Sequence, residues 1–399
     1  MDSIAAKPYK LFGKIQNYDW GTKNENAYIP KFLGIDAEEN VPYAEYWIGI
    51  HPKAPSEILI DNKKVLLTEI LAKHPSEILG NRIIKEFGNT LPFLLKILSV
   101  NQALSIQAHP NKLLAEELHS KDPINYPDDN HKPEIAIAVD QLQAIVGFKK
   151  IAELKTAIEK YFEIQKLVDP NLLEKINKLD KVESEEWIKE FYKNIMSSSD
   201  DLLEECITDI KIRLENIENR KQAEEQFLLQ YKNYGIDVGL LSILLFNFIN
   251  LKSDEAIFTP AGIPHAYIKG NIIECMANSD NVIRAGLTPK YKDLETLTKM
   301  LSLNSDETMV KKVEDHEKIR YRTSAKEFEI QKLKLDKKFI TKNNDEMSII
   351  FLTDGEIEIA TSNKNEKYAR GDVILIPSVL SDYEIWEILP SQTYRALIP

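Results

Sequence analysis

The sequence predicts a mainly β protein with an inserted helical segment. Short apolar or alternating runs, bounded by Asp, Asn, Gly or Pro, recur before residue 150 and after about residue 256. Between residues 149 and 236 there is one proline and one glycine, and apolar residues recur at helical spacing. Many short strands with regularly spaced turns are typical of barrels and jelly rolls.

Strands and helices alternate in the first 150 residues. Strands are predicted at residues 57–60, 103–108 and 135–139, and helices at residues 67–73 and 111–119. In the helical segment, Ser and Asp residues at 197–200 indicate a helix boundary with a capped start. The N-terminal zone therefore supplies part of a barrel.

The last zone, after about residue 306, reads as purely β. Strands are predicted at residues 347–352, 356–360, 373–376 and 383–388. The Asp-Gly and Gly-Asp pairs at 354–355 and 371–372 predict turns between them. This zone predicts a second small barrel.

Composition limits the partners that this chain can have. Its 399 residues, 43% of them hydrophobic, are enough for two or three domains without a stapling metal or disulfide. The formal net charge of −12 argues against a nucleic-acid partner, which needs a basic face. A small anion bound in a locally positive pocket is compatible with this charge.

Several classes of protein are excluded by absent motifs. Cys206 and Cys275 cannot make a disulfide framework or a cysteine-based zinc site, so we expect two free thiols. The chain has no Gly-x-Gly-x-x-Gly or Walker sequence, which argues against a dinucleotide fold. Residues 240–249 form the most apolar run, about half of a membrane span, and residues 1–13 do not resemble a secretory signal. We expect a cytoplasmic protein.

The first motif that could carry chemistry is residues 104–110, LSIQAHP. In an extended strand Ser105, Gln107 and His109 would share one face, with the apolar residues on the other. A hydroxyl, an amide and an imidazole in one row suit a site inside a barrel. An ordinary amphipathic strand with its polar face in solvent would show the same pattern.

The second motif is residues 130–134, NHKPE. Pro133 favours extended geometry before it, so Lys132 and Glu134 would point one way and His131 the other. The lysine and glutamate form either a surface ion pair of little value or a metal ligand beside a substrate-facing cation.

The third motif is residues 258–267, FTPAGIPHAY, in which a tight turn delivers His265 at a fixed angle. A histidine after a turn is either structural or a site residue, and the strand-turn-strand context leaves both open.

The fourth motif is residues 274–290, a polar block followed by Arg284 and Lys290. An arginine in such a loop can clamp an anion with bidentate geometry, or it can make a surface salt bridge.

These four motifs, in this order, closely resemble type I mannose-6-phosphate isomerases, zinc enzymes of the cupin superfamily. Residues 17–21 (NYDWG), 44–52 (AEYWIGIHP) and 91–98 (LPFLLKIL) match further signatures of the family. The resemblance implies two cupin (jelly-roll) barrels plus an α-helical domain. The catalytic barrel would comprise residues 1–149 and 237–308, the helical domain 150–236, and a C-terminal cupin-like barrel 309–399. Because no histidine follows His316, that barrel would have no metal site.

The resemblance also implies the ligands of one Zn²⁺ ion per chain. They would be Gln107, His109, Glu134 and His265. Imidazole and carboxylate are ordinary zinc donors, and an amide oxygen is a weak one that leaves the metal a strong Lewis acid. The sequence departs from the general cupin pattern because Gln107 replaces a histidine and Glu134 comes 25 residues after His109.

The implied reaction converts mannose 6-phosphate and fructose 6-phosphate into each other through a cis-enediol, and it supplies GDP-mannose synthesis or mannose catabolism. Arg284 would stabilise charge near the reacting end or the phosphate. We expect a hexose 6-phosphate as partner, no nucleic acid or membrane, and a monomer. The remaining candidates divide by role. The base is one of Glu274, Lys132, His131 or Asp280, and the substrate contacts are Ser105, Lys132, Lys290, Trp20 and Tyr267.

Two other functions use the same residues. His109, Glu134 and His265 also form a two-histidine, one-carboxylate set that suits Fe(II) and oxygen chemistry. A third hypothesis for the function is a non-catalytic cupin that binds sugar. Gln107 as a further donor and a cationic loop for phosphate speak against the iron enzyme.

Overall fold

The computed structural model describes residues 3–176, 181–303, 308–335, 339–342 and 346–399, without the side chains of residues 181, 182 and 340–342. Two 3-10 helices span Asn24–Asn26 and Phe162–Leu167. The α-helices are α1 (Tyr28–Leu33), α2 (Leu67–Lys73), α3 (Pro75–Leu79), α4 (Asn81–Phe87), α5 (Lys112–Lys121), α6 (Ile151–Lys160), α7 (Pro170–Lys175), α8 (Lys181–Met196), α9 (Asp200–Glu215), α10 (Gln222–Tyr234), α11 (Gly239–Leu245) and α12 (Leu294–Met300).

The strands come from both ends of the chain and from the middle. They are β1 (Tyr9–Phe12), β2 (Lys14–Gln16), β3 (Glu45–Ile48), β4 (Glu57–Ile60), β5 (Lys63–Leu66), β6 (Phe93–Val100), β7 (Ile106–Ala108), β8 (Glu134–Phe148), β9 (Phe246–Leu251), β10 (Ala256–Thr259), β11 (His265–Ala277), β12 (Ile283–Gly286), β13 (Lys311–Glu314), β14 (Lys318–Arg322), β15 (Glu329–Leu333), β16 (Phe339–Lys342), β17 (Ser348–Ala360), β18 (Asn365–Ala369), β19 (Val373–Ile376) and β20 (Asp382–Leu397).

The described strands form two antiparallel sheets. Sheet I has the order β10-β8-β11-β6-β3-β2, with β9 on β8 and with β7 between β11 and β12. Sheet II has the order β13-β14-β15-β20-β17-β19-β1-β4-β5, with β16 on β20 and β18 on β17. Sheet II therefore joins strands from the first 66 residues to the strands that follow residue 310. The protein is mainly sheet with helices, as predicted.

The strands β3 and β6 in sheet I are buried on both faces, and their residues alternate between two environments. In β6, Phe93, Leu95 and Ile97 belong to the large core that also contains residues of sheet II. Their neighbours Leu94, Lys96 and Leu98 lie on the opposite face, which we call the inner face. The inner face carries apolar clusters as well as a buried lysine.

Helices α6 to α10 occupy the described part of the chain between residues 150 and 236. These helices share one core with the outer side of β7 and β12, through residues such as Ile106 and Ile283. The side chain of Ser199 accepts the Leu202 amide, so α9 has the capped start that the sequence predicts. No described helix combines the length and apolar character needed to cross a membrane.

Two local predictions are wrong. The predicted turn at 354–355 lies inside β17, where the register shifts; Gly355 has φ +81° and a Cβ there would lie 2.3 Å from the Pro390 oxygen. The glycine allows a bulge rather than a hairpin. The strand predicted at 103–108 begins at Ile106, because the Ala103 oxygen accepts the Tyr234 hydroxyl instead of a strand partner.

Candidate active site

Three buried side chains converge where strands of sheet I begin and end. His109 follows β7, Glu134 begins β8 and His265 begins β11. The turn before His265 depends on Gly262, which has φ +80° and donates its N–H to the His109 oxygen at 2.9 Å. A Cβ at Gly262 would lie 2.4 Å from the Met300 oxygen. The turn thus ties two of the three residues together.

We call His109, Glu134 and His265 the histidine cluster. One donor atom from each lies within 4.8 Å of the others, and each residue is at most 1% exposed. Glu134 Oε2 is 3.2 Å from His265 Nε2 and 3.4 Å from His109 Nε2. The two rings therefore face one carboxylate oxygen.

The hydrogen bonds on the far side of each ring fix the tautomers. His109 Nδ1 donates to the Asn281 oxygen at 2.8 Å, and His265 Nδ1 donates to the Ile263 oxygen at 2.9 Å. Because a carbonyl oxygen only accepts, each neutral ring has its proton on Nδ1 and a lone pair on Nε2. Burial lowers the pKa of His109 to about 4, which keeps that ring neutral near pH 7.

When both rings are neutral, these tautomers bring the lone pairs of two imidazoles and a carboxylate together with no proton between them. His109 Nε2 is buried and makes no hydrogen bond to any described residue. A divalent cation bound by all three groups would satisfy this arrangement, and two imidazoles with one carboxylate are ordinary zinc donors. Gln107 lies directly opposite His265 on β7, so its side chain is on the same face and can add an amide oxygen.

A second group of buried charges lies on the same inner face, and we call it the lysine cluster. Lys96 Nζ is 3.2 Å from Glu274 Oε2 and 3.6 Å from Glu45 Oε2, and it lies 5.2 Å from the centre of the Trp47 ring. Burial alone would lower the pKa of Lys96, but Glu45 and Glu274 outweigh this effect and raise it. Burial raises the pKa of Glu274, and Lys96 only partly opposes the rise.

The second sequence motif has the predicted orientation. Lys132 Nζ is 2.9 Å from Glu134 Oε1, and both side chains are buried. His131 points elsewhere, with Nε2 2.6 Å from Glu327 Oε1. Burial would raise the pKa of Glu134, but the neighbouring Lys132 ammonium outweighs this effect and lowers it well below its usual range. Glu134 therefore stays ionised, with Oε2 free to bind a cation.

The buried charges of the inner face sum to a negative formal charge without a metal, before the half-buried Arg284 is counted. This face carries Glu45, Glu134 and Glu274 against Lys96 and Lys132, which leaves one negative charge when the histidines are neutral. A divalent cation would reverse the sign. The site would then attract an anionic substrate in a protein whose net charge is −12.

Other predicted residues lie around this face. The Tyr267 hydroxyl is buried, and burial together with the nearby Glu274 carboxylate raises its pKa, so it stays protonated as a donor. Trp20 is partly buried against the apolar cluster that includes Tyr267. Arg284 lies opposite Gln107 on β12, and its half-buried guanidinium has no ion pair within the described chain. Ser105, just before β7, is partly exposed.

Two candidates lie further out. Lys290 is exposed on the loop after β12. Asp280 lies at the rim, 3.2 Å from His51 Nε2 and 2.7 Å from Lys53 Nζ. The hydrogen bond with His51 lowers the pKa of Asp280 well below its usual range, and Lys53 adds to this effect. A carboxylate held in this way is a weak base.

The sequence prediction did not assign roles to Lys96 and Glu45. A signal was present, because Lys96 interrupts the apolar stretch 91–98 and a lysine is almost never fully buried unless it is paired. Glu45 likewise precedes the apolar residues of β3. A charge inside a buried strand pattern predicts a partner, although the sequence does not say which one.

Known proteins with similar sequences belong to one family. Residues 9–151 match the family described as phosphomannose isomerase type I, catalytic domain. The chain is 35% identical to mannose-6-phosphate isomerase 2 of Arabidopsis thaliana, with 96% of this chain and 91% of the relative covered. It is 34% identical to mannose-6-phosphate isomerase of Saccharomyces cerevisiae, with 99% of both covered.

Solved structures agree with these relatives. A zinc-bound mannose 6-phosphate isomerase superposes with a TM-score of 0.88 at 26% identity, with 99% of both chains covered. A mutant phosphomannose isomerase from Salmonella typhimurium gives the same TM-score and identity, with 99% of this chain and 100% of that chain covered. The similarity therefore extends over both sheets and the helical segment.

Proposed function

The chain belongs to the type I mannose-6-phosphate isomerase family, and from this premise we propose that it interconverts mannose 6-phosphate and fructose 6-phosphate with one zinc ion per chain. One observation carries the proposal. The histidine cluster brings the lone pairs of two imidazoles and a carboxylate together in a buried place that a cation would complete.

His109, Glu134 and His265 are the proposed protein ligands of zinc, with Gln107 as the fourth. Bound zinc supplies a Lewis acid that polarises the sugar carbonyl and orients the open chain. The carbonyl groups of Asn281 and Ile263 hold the two rings in the ligating tautomer. Lys132 balances the other oxygen of Glu134, which keeps the carboxylate ionised.

Glu274 is the base that the geometry favours for the cis-enediol path. It lies on the same face as Glu134, diagonally across the β8–β11 pair. Burial raises its pKa toward the range in which a carboxylate accepts and returns a proton. It would take the proton from C2 and return it to C1, while Lys96 holds its position.

The other candidate bases are engaged elsewhere. Asp280 is bound by His51 and Lys53, which weakens it as a base. His131 is paired with Glu327, a residue from beyond the catalytic barrel predicted from the sequence. The Lys132 ammonium is paired with Glu134.

The proposed substrate contacts are assigned from where each side chain lies relative to the histidine cluster. Arg284 is in register with Gln107, two strands from His265, and so it suits charge stabilisation near the reacting end. Lys290 and Ser105 are proposed for the phosphate. Tyr267 and Trp20 are proposed for the sugar, because the tyrosine offers a buried donor and the tryptophan an apolar wall.

The finer architecture is part of the proposal. Sheet I and sheet II supply the strands of two cupin barrels, with a catalytic barrel over residues 1–149 and 237–308, helices over 150–236, and a C-terminal barrel over 309–399. The strands β1, β4 and β5 would be shared with the C-terminal barrel. We further propose that the protein is a cytoplasmic monomer whose activity supplies GDP-mannose synthesis or mannose catabolism. Light scattering tests whether it is a monomer.

The first experiment is an assay of mannose 6-phosphate conversion before and after chelation, followed by zinc add-back. We expect activity to disappear with the chelator and to return with zinc. A folded, zinc-loaded protein without turnover would contradict the proposed reaction. Recovery with Fe(II) but not zinc, together with oxygen uptake, would favour the iron enzyme instead.

A further inference from the structure

We propose that Asp237 is a positioning residue, which fixes the loop of residues 286–292 and thereby sets Arg284 and Lys290 for the substrate. Asp237 lies where the helical segment returns to the sheet, just before α11. This inference rests on the proposed function, because it concerns residues that bind the sugar phosphate.

The Asp237 carboxylate joins two backbone segments that are about 50 residues apart. Its Oδ1 accepts the Leu287 amide at 2.6 Å and the Gly239 amide at 2.7 Å, and its Oδ2 is 3.4 Å from the Thr288 amide. The residue is 9% exposed. A buried carboxylate with several N–H donors is strongly held, so the two segments are held with it.

The backbone at this junction has no room to rearrange. A Cβ at Gly286, which has φ +146°, would lie 2.5 Å from Gly239 Cα and 2.9 Å from Asp237 Oδ1. The next residue, Leu287, has φ +50°, which a leucine rarely adopts. The Leu287 side chain is buried in the helical core, so the hydrogen bond and the packing hold this conformation together.

The restraint extends in both directions along the loop. Toward Lys290, the Thr288 hydroxyl accepts the Lys290 amide at 3.1 Å, and Lys292 Nζ lies 3.9 Å from Asp237 Oδ2. Toward the site, Gly286 ends the strand that carries Arg284. Arg284 has no ion-pair partner within the described residues, so its position depends on this strand rather than on a counterion.

The consequence is a link between the helical segment and substrate binding. Misplacing a binding group by about 1 Å can cost as much as about a hundredfold in rate. Without the Asp237 carboxylate, the Leu287 backbone would relax from its unfavourable conformation. Arg284 and Lys290 would then meet the phosphorylated sugar less well, although neither contacts Asp237.

The test compares Asp237→Ala, Asp237→Asn and Asp237→Ser in the zinc-loaded enzyme. For Asp237→Ala we expect the KM for mannose 6-phosphate to rise about tenfold or more, and inorganic phosphate to bind more weakly by a similar factor. Asp237→Asn keeps an oxygen for the Leu287 and Gly239 amides, so its KM stays within about threefold of wild type. Zinc content should not change in either variant.

A matched control separates positioning from general stability. Glu163, buried in the helical segment, is bound by Arg213 through Nε at 2.6 Å and Nη2 at 3.0 Å. Glu163→Gln should lower the Tm without changing the KM or phosphate binding. If Asp237→Ala behaves like Glu163→Gln, with a lower Tm and wild-type KM and phosphate affinity, the proposal is overturned.

Phosphate binding and a third variant allow the test to be interpreted if the enzyme is inactive or if Asp237→Ala does not fold. Calorimetry measures phosphate binding without turnover, so an inactive wild-type enzyme would refute the isomerase function and not this inference. If Asp237→Ala does not fold, Asp237→Ser, which retains one short acceptor, takes its place. We expect an intermediate KM from it, and wild-type KM and phosphate affinity would overturn the proposal.

Discussion

The histidine cluster and the lysine cluster compensate buried carboxylate charge in different ways. The lysine cluster places two carboxylates on the buried inner face of sheet I, and the histidine cluster places one there. In the lysine cluster, Lys96 supplies the compensating charge from within the chain, at 3.2 Å from Glu274. In the histidine cluster, Lys132 meets one oxygen of Glu134, and the other oxygen faces two lone pairs.

The charges of the lysine cluster are therefore paired within the chain, whereas the histidine cluster needs a bound ion to complete its pairing. A buried charge is costly unless it is paired, so the fold supplies its own pair where no metal ion is expected. Where the pairing is incomplete, the arrangement favours a bound cation. The two clusters should therefore respond differently to metal removal and to the loss of one member.

The largest expected effect is on the histidine cluster. Glu134→Gln removes the anionic donor, so we expect zinc affinity to fall by at least about a hundredfold, and turnover with it. Zinc content by mass spectrometry and the isomerase assay measure this. Glu45→Gln, which alters the lysine cluster, is the control and should retain its zinc. Normal zinc content in Glu134→Gln would remove Glu134 from the ligand set.

Removing Lys96 from the lysine cluster should change the free energy of unfolding more than it changes zinc binding. Lys96→Met leaves Glu45 and Glu274 without their cation, so we expect a loss of about 3–5 kcal/mol in the free energy of unfolding. Urea denaturation measures it. Adding Glu274→Gln to Lys96→Met should recover part of this loss, since one buried charge is removed. A Lys96→Met protein as stable as wild type would show that water reaches the cluster.

Substituting Arg284 tests whether this cation, which has no ion pair among the residues that the structure describes, acts in catalysis. Arg284→Lys keeps the charge but loses the planar, bidentate geometry, so we expect kcat/KM to fall about ten- to a hundredfold. Arg320→Lys is the matched control. Arg320 pairs with Glu329 in sheet II through Nε at 2.9 Å and Nη2 at 2.8 Å. Equal activity in both variants would make Arg284 a surface residue.

The smallest effect concerns Asp280, at the rim. Its pKa is lowered in the folded protein, so its contribution to stability is present above the unfolded pKa of about 3.9 and is lost as the pH falls further. We expect Asp280→Asn to cost about 1 kcal/mol at pH 7 and progressively less below pH 4. Turnover should remain within about threefold. A large loss of turnover without loss of zinc would restore Asp280 as a candidate base.

The sequence predicted the local geometry of single motifs, and only the resemblance to the family joined their residues into one ligand set. His109, Glu134 and His265 stand in motifs whose strand alternation or turns could be inferred, and Pro133 correctly separated Lys132 from His131. The lysine cluster depends on register between β3, β6 and β11, and register is set by packing. Lys96 could be identified as unusual, but its partners could not.

The same limit applies to the fold. Helix boundaries such as the Ser199 cap follow from local hydrogen bonds, and the sequence predicted them. The continuity of β17 through Gly355 depends on a close approach to Pro390, which is 35 residues away. The pairing of β1 with β19 joins the two ends of the chain, and no local pattern predicts it.

The most direct test of the comparison is anomalous diffraction at the zinc edge, from crystals of the chain loaded with one equivalent of zinc. We expect a single strong peak between His109 Nε2, Glu134 Oε2 and His265 Nε2, and none at the lysine cluster. A peak elsewhere, or none at the histidine cluster in a fully loaded protein, would contradict it.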